Sequence, residues 1–262
     1  MFEFARGAAA RVHSRAEGQG LVRLGTGRTM LTIAHRGASG DYPENTLRAF
    51  LAALEAGADM CEFDVRMSRD GEVVVIHDAT VRRTTGGRGE VAAMELAALK
   101  RLDAGARFGA RFRGERIPTL DEVAVALGGR CGMNIELKAS GLERAVCEIV
   151  RRHDAIGSTV VSSFEWNQLR LVAEAEPRIR IALLASGDRL AMIEAAAAMR
   201  AYAVAPRFDL VRPELCAEAH RRGLRVLTWT VDRRRAMRRL IAAGVDGIMT
   251  NYPERLRRVL GT

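Results

Sequence analysis

Cysteine, aromatic residues and long apolar runs are scarce in this chain, and each scarcity excludes a class of protein. The four cysteines among 262 residues form no C-x-x-C pair and no secreted disulfide spacing, so we expect a reducing compartment. Aromatic residues make up 5% of the sequence and do not alternate with basic ones, which argues against a nucleic-acid partner despite a net charge of +9. No apolar run is long enough to cross a bilayer, so we expect no membrane insertion.

Residues 1–29 are basic and glycine-rich, and they precede the first strand-like run. Their first apolar stretch is interrupted by Glu3 and Arg6, so it lacks the apolar core of a signal peptide. We interpret this part as a loosely ordered or helical N-terminal extension, and we expect a cytoplasmic protein. The pattern does not indicate the oligomeric state, and a homo-oligomer stays open.

From residue 31 onward, short runs rich in β-branched residues alternate with longer helical patterns, as in repeated βα units. The predicted strands are residues 31–35, 60–66, 132–137, 159–163, 179–184, 202–205, 224–231 and 247–251. About eight such units predict an α/β fold, a single (β/α)8 TIM barrel over residues 30–262. A doubly wound sheet is the alternative, but no G-x-G-x-x-G motif follows the first predicted strand.

About sixty residues separate the second and third predicted barrel strands, far more than one βα connection needs. We interpret residues 67–131 as a hairpin and an insertion over the barrel mouth, with a returning strand at 72–76 and a helical pattern at 91–102. Long insertions in such barrels are usually functional.

The hairpin also predicts a register. If Arg69 and Asp70 are the two central residues of a tight turn, Asp64 pairs with Val75 and Glu62 with His77. Directly opposed residues project to the same face, so both carboxylates and the histidine should converge toward the barrel axis.

Several polar side chains fall at or near the carboxyl ends of the predicted strands, where barrels of this type build their active sites. They are His35, Glu62, Asp64, His77, Glu136 and Lys138. We therefore interpret them as candidate catalytic residues.

The carboxylates among them indicate a cation site. Glu62 and Asp64 are two residues apart on one strand, so they share a face and repel each other unless a cation lies between them. Glu136 could supply a third carboxylate. Oxygen ligands without cysteine or clustered histidine favour Mg²⁺ or Ca²⁺ over zinc. The structural alternative is that these carboxylates pair with Arg66, Lys138 or another cation.

Proton transfer and anion binding have candidates at the same strand ends. His35 and His77 each end an apolar strand and could divide acid and base roles. Arg36 and Lys138 can hold phosphate oxygens. Core packing is the default interpretation for large side chains near other strand ends, but Phe164 and Trp229 would form a pocket wall if they reach the mouth.

A series of short motifs matches one family in order and spacing. They are I-A-H-R-G at 33–37, P-E-N-T at 43–46, E-F-D-V at 62–65, H-D at 77–78, R-T-T at 83–85, I-P-T-L at 117–120, N-I-E-L-K at 134–138, T-W-T-V at 228–231 and G-I-M-T-N at 247–251. Residues 31–256 therefore resemble the bacterial glycerophosphodiester phosphodiesterase family.

The resemblance implies roles for individual residues. It implies a divalent ion held by Glu62, Asp64 and Glu136, with His35 and His77 as the acid/base pair. It further implies that Arg36 and Lys138 contact phosphate, that Glu44 lies close to the site, that Asp78 has a supporting role, and that Phe164 and Trp229 flank the glycerol or the leaving group.

The family reaction converts a glycerophosphodiester to sn-glycerol 3-phosphate and an alcohol. Two other hypotheses stay open, a lysophospholipase D or sphingomyelinase-D-like enzyme on the same barrel and an anion-binding barrel without turnover. Which histidine is the acid, and whether water attacks directly or a cyclic phosphate forms first, also stay open.

Overall fold

The alternating strand and helix patterns fold into a closed barrel. The computed structural model describes residues 22–23 and 29–262. Its strands are β1 (Val22–Arg23), β2 (Thr29–His35), β3 (Met60–Met67), β4 (Val73–Val75), β5 (Gly132–Leu137), β6 (Thr159–Ser163), β7 (Arg180–Ala185), β8 (Ala203–Pro206), β9 (Arg225–Thr228) and β10 (Gly247–Thr250). Eight of them run parallel, and β2 pairs with both β3 and β10, so the ring closes as predicted. The additional strands β1 and β4 pair antiparallel with β2 and β3.

Helices follow the barrel strands and cover the outside of the ring. They are α1 (Leu47–Glu55), α2 (Arg82–Thr85), α3 (Leu96–Leu99), α4 (Leu120–Leu127), α5 (Glu143–Arg152), α6 (Trp166–Ala175), α7 (Arg189–Ala198), α8 (Pro213–Arg221), α9 (Arg234–Ala243) and α10 (Pro253–Leu260). Prolines open α8 and α10, where a missing N–H costs no helical hydrogen bond. A capping box between Thr119 and Glu122 opens α4. Within residues 22–23 and 29–262, no helix is long and apolar enough to cross a membrane.

Two apolar layers hold the barrel, because successive side chains of each strand point alternately inward and outward. Inward-facing residues such as Ile33, Ala203 and Leu227 pack together inside the ring. Outward-facing residues such as Phe63 and Ile135 pack against the helices in a larger cluster. A fully buried side chain of this size stabilises the fold by roughly 1.5–3 kcal/mol. The apolar interior leaves the carboxyl ends of the strands as the place for polar groups.

The predicted strand at 224–231 is too long, since β9 ends at Thr228. Beyond it, the side chains and the backbone bond to neighbouring strands in place of a continued ladder. The Trp229 indole donates to the carbonyl of Ala205, and the Val231 N–H donates to the carbonyl of Met249. The β-branched pattern continues there, but among the described residues only one isolated parallel bridge, between Trp229 and Arg207, extends the pairing beyond β9.

The helix predicted at 91–102 is also wrong in extent. A short 3-10 turn (Val91–Ala93) and α3 are separated by residues 94–95. The hairpin tip occupies this break: Arg69 donates its N–H to the carbonyl of Met94, and the Asp70 carboxylate accepts the N–H of Leu96. The segment packs around its own small apolar cluster, which includes Val91 and Leu99.

The hairpin register differs from the predicted one by one residue. Val65, not Asp64, lies opposite Val75. Ser68 donates its N–H to the carbonyl of Glu72, so the loop has three residues, and Gly71 adopts a left-handed φ of 87°. A type I turn followed by a left-handed glycine makes such three-residue loops, whereas the prediction assumed two.

The predicted pairing of Glu62 with His77 is therefore wrong. Strand β4 ends at Val75, and His77 lies beyond the ladder. Its carbonyl accepts a 2.8 Å hydrogen bond from the Arg66 side chain, which fixes the backbone there.

The N-terminal extension proposed for residues 1–29 falls mostly outside the described residues. The described part is β1, which pairs with the start of β2.

Candidate active site

The carboxyl ends of the barrel strands surround a cavity of about 120 Å³. Its lining is formed by His35, Arg36, Glu62, His77, Asn134, Glu136, Lys138, Ser162, Phe164, Leu184, Trp229, Thr230 and Met249. Of the residues proposed from the sequence, all line the cavity except Asp64, Glu44 and Asp78. His77 thus lies at the same cavity as Glu62, although the predicted strand pairing does not bring it there.

Three carboxylates meet on neighbouring strands. Asp64 of β3 lies opposite Glu136 of β5, and one ligand atom each from Glu62, Asp64 and Glu136 lie within 4.8 Å of one another. Glu62 Oε1 and Asp64 Oδ1 are buried and accept no hydrogen bond from the described residues. Burial, together with the charges of Asp64 and Glu136, raises the pKa of Glu62 well above its ordinary value. A hard divalent cation fits this donor set, since it would satisfy the orphaned oxygens and offset the repulsion.

Two cations lie against this cluster. Arg36 donates its backbone N–H to Glu62 at 2.9 Å and places its Nε 3.2 Å from Asp64, aided by a left-handed φ of 56°. Lys138 donates to Glu136 at 2.8 Å. The structural alternative of ion pairing therefore holds for Lys138 with Glu136 and for Arg36 with Asp64, whereas Arg66 bonds to the His77 carbonyl.

The two histidines have different partners. His35 Nδ1 lies 2.7 Å from the Asn251 side-chain oxygen, and its Nε2 lies 4.0 Å from Glu62. Burial and then the neighbouring Arg36 lower the pKa of His35, which favours the neutral imidazole. His77 Nδ1 lies 2.7 Å from Asp78, as in a carboxylate–histidine pair.

A chain of ion pairs joins the two sides of the mouth. Arg83 donates to both oxygens of Asp78 and to both oxygens of Glu44, and Glu44 also accepts from Arg36 at 2.9 Å. Hydrogen bonds from Arg83 hold the pKa of Asp78 well below its ordinary value. Burial opposes ionisation of Glu44, but Arg83 and Arg36 outweigh it and lower its pKa. Arg83 thus links the His77 side of the cavity to the Arg36 side.

An aromatic pair forms one wall. Phe164 and Trp229 meet edge to face with ring centroids 5.4 Å apart, and Lys138 Nζ lies 5.8 Å from the Phe164 ring. Phe164 is 40% exposed, so core packing does not explain it. Both residues belong to the mouth.

Sequence reasoning assigned no role to several polar residues that the fold brings to the site. Asn134 and Ser162 line the cavity, and their side-chain polar atoms are buried without a hydrogen-bond partner among the described residues. Asn45 donates to Asp64 at 2.9 Å. Asn251 contacts His35, and Arg83 donates to Asp78, the partner of His77. Asn134 had one readable signal, since it precedes Glu136 by two positions and so shares its strand face.

Fold and site together define a class: a (β/α)8-barrel protein whose mouth combines an acidic cluster with two histidines and two cations. Such a mouth suits an anionic substrate and a hard cation.

Comparison with known proteins specifies the family. The Glycerophosphoryl diester phosphodiesterase family matches residues 35–255. The glycerophosphodiester phosphodiesterase of Caldanaerobacter subterraneus subsp. tengcongensis is 42% identical over 232 residues, which are 86% of this chain and 96% of the relative.

Two solved structures of phosphodiesterases are also similar to this chain. A phosphodiesterase of Oleispira antarctica in complex with the product sn-glycerol-3-phosphate has a TM-score of 0.83 at 30% identity, covering 88% of this chain and 96% of that one. A glycerophosphodiester phosphodiesterase of Agrobacterium tumefaciens has a TM-score of 0.78 at 31% identity, covering 86% and 98%. This chain belongs to the glycerophosphoryl diester phosphodiesterase family.

Proposed function

We propose that this protein hydrolyses glycerophosphodiesters to sn-glycerol 3-phosphate and an alcohol at the cavity above β3 and β5, with a divalent cation as cofactor. One observation carries the site assignment: three clustered carboxylates, two of them with a buried oxygen that accepts no hydrogen bond from the described residues, stand beside two histidines and two cations at one cavity. Membership of the family supplies the reaction class.

The proposed cation ligands are Glu62, Asp64 and Glu136, and the ion is Mg²⁺ or Ca²⁺. When bound, such an ion polarises a phosphoryl oxygen and offsets the charge that develops in the transition state. Arg36 and Lys138 neutralise the remaining phosphate charge, the arginine with a fork of donors and the lysine as a point charge. Both already lie against the carboxylate cluster.

His35 and His77 carry the protons. The Nδ1 of each ring is held by a partner, Asn251 for one and Asp78 for the other, which leaves each Nε2 for the reacting atoms. One histidine removes a proton from the attacking oxygen, and the other protonates the leaving alcohol. Phe164 and Trp229 supply the apolar wall that flanks the glycerol or the leaving group.

The histidine assignment is tested with single alanine variants. We expect His35→Ala and His77→Ala each to lower kcat by at least about 100-fold, with an unchanged melting temperature. A substrate with a nitrophenol leaving group should rescue the variant that lost the general acid, because it needs less protonation. A variant with near-normal turnover on an unactivated substrate would assign that histidine to packing.

The cofactor is tested by chelation. Exhaustive dialysis against chelator should abolish turnover, and Mg²⁺ or Ca²⁺ should restore it. Full activity in excess chelator would remove the ion from the mechanism. A panel of glycerophosphodiesters and lysophospholipids in the same assay separates this function from lysophospholipase D activity.

We propose the cytoplasm as the site of action. The four cysteines are buried and form no disulfide, as suits a reducing compartment. Cell fractionation with an untagged chain tests the location, and size-exclusion chromatography with light scattering tests for a homo-oligomer.

A further inference from the structure

Helix α9 carries a concentration of arginines that its surroundings do not neutralise. The segment from residue 233 to 239 has exposed arginines at positions 233, 234, 235, 238 and 239. On α8 and α10, by contrast, an arginine pairs with an acid of the same helix, Arg221 with Glu218 and Arg258 with Glu254. Among residues 22–23 and 29–262, no carboxylate lies within ion-pair distance of the α9 arginines.

Three of these arginines line a groove at the barrel mouth. The groove has a volume of about 630 Å³, and Arg233, Arg235 and Arg239 form its rim. Phe208 and Ala236 contribute apolar surface to it. Because α9 follows β9, its N-terminus lies on the same face of the barrel as the catalytic cavity.

The one acid in the groove is already engaged. Both carboxylate oxygens of Asp232 accept hydrogen bonds, from the Thr250 hydroxyl and from the backbone and side-chain nitrogens of Asn251. The Asp232 carboxylate therefore faces β10 and its loop. The groove keeps an excess of positive charge.

The groove adjoins the catalytic cavity. Thr230 lines both of them, immediately after Trp229, which forms the aromatic wall. In the proposed function the scissile phosphate is held by Arg36 and Lys138, which line the catalytic cavity and not the groove. Arg239 donates to the carbonyl of Phe208, so Arg233 and Arg235 are the arginines of the groove that remain for a different anionic group of the same substrate.

On these grounds we infer that the α9 groove binds the alcohol portion of the substrate and selects alcohols that carry a phosphate of their own. The inference rests on the proposed function. A phosphate suits arginine forks, and the apolar floor suits a polyol ring. A cationic alcohol such as choline would be repelled from the same groove.

The test uses two substrates that differ by one phosphate: glycerophosphoinositol and the same ester with a phosphate on the inositol ring. We expect the wild type to show a kcat/KM at least about tenfold higher for the phosphorylated substrate. Arg235→Gln should reduce this preference about three- to tenfold, mostly through KM. Arg238→Gln is the matched control, because it removes the same charge from the same helix outside the groove, and it should leave the preference unchanged.

Two results would overturn the inference. One is equal kcat/KM of the wild type for both substrates. The other is an equal loss in Arg235→Gln and Arg238→Gln, which would assign the effect to the general field of the helix.

A wrong assignment of the proposed function can be distinguished from a wrong assignment of the groove as a phosphate-binding site. If neither ester is hydrolysed, calorimetry with inositol 4-phosphate still tests the groove. The wild type should bind it at 0.15 M salt, and Arg235→Gln should weaken binding more than Arg238→Gln. Absence of binding by the wild type would also overturn the inference.

Discussion

From the proposed cation site we expect the stability of the fold to depend on the cation, and one substitution should weaken that dependence. Glu62→Gln keeps the shape of the side chain and an oxygen for the Arg36 N–H, but it removes one charge from a site where three carboxylates meet. In chelator, we expect the variant to be at least as stable as the wild type, because burial and the neighbouring carboxylates already disfavour the charged form of Glu62.

Adding the cation should invert this order. An ion at a free concentration one hundred times its Kd stabilises the folded wild type by about 2.7 kcal/mol. For a chain of this size each kcal/mol raises Tm by about 2–4 °C, so we expect a rise of about 5–11 °C. Glu62→Gln has lost a ligand, so its Tm should rise far less at the same concentration.

The measurement is thermal unfolding by circular dichroism in chelator and in a titration with Mg²⁺ or Ca²⁺. Glu143→Gln is the matched control, since Glu143 is a buried carboxylate with an orphaned oxygen at the start of α5, away from the cluster. It should keep the full shift. The reasoning is refuted if the wild type shows no shift up to about 20 mM cation, roughly twenty times the Kd of the weakest Ca²⁺ sites in proteins. It is also refuted if Glu62→Gln shifts as much as the wild type.

Three further predictions address the scaffold and the mouth. Burial raises the pKa of Asp59 to about 6, so the stability that protonated Asp59 contributes is full below its ordinary pKa and is lost as pH rises through about 6. In urea unfolding, the free energy of unfolding of Asp59→Asn should therefore rise relative to that of the wild type between about pH 4.5 and 7.5, and a difference that stays constant with pH would contradict this. Thr119→Ala breaks the capping box of α4 and should cost about 1 kcal/mol in urea unfolding, whereas Thr119→Ser should be near neutral, and equal losses would argue against the cap. Arg83→Met disconnects Asp78 from Glu44 and should lower kcat by about tenfold with an altered pH–rate profile, while unchanged kinetics would show that the ion-pair chain does not position His77.

Local pattern was enough to predict most of the barrel. Strand periodicity and β-branched composition depend on neighbours along the chain, so β5 and β6 were predicted with their observed bounds. The polar residues at the strand ends were readable for a related reason, because a charged side chain at the end of an apolar run is conspicuous. The same argument located Glu136 and Lys138 at the end of β5.

Where local pattern failed, the conformation of a single residue or a contact with a distant part of the chain decided the structure. The hairpin register depended on the left-handed conformation of Gly71, which composition permits but does not require. The helix predicted at 91–102 is interrupted because the hairpin tip forms hydrogen bonds with the carbonyl of Met94 and the N–H of Leu96. The residue pattern within either segment carries no information about its contact with the other segment.

The candidate site likewise has a part that the sequence predicts and a part that only the fold determines. Residue type and strand position by themselves determined that Glu62, Asp64 and His35 could act together, since parallel strands of one barrel must end at one face. Only the tertiary structure decided which partners hold them: Asn251 on His35, Arg83 between Asp78 and Glu44, and the groove beside Thr230. Asn251 lies 216 residues from His35 and Arg83 lies 39 residues from Glu44, so no local pattern records these contacts. The pairing of β10 with β2, which closes the barrel, is what brings Asn251 within hydrogen-bond distance of His35.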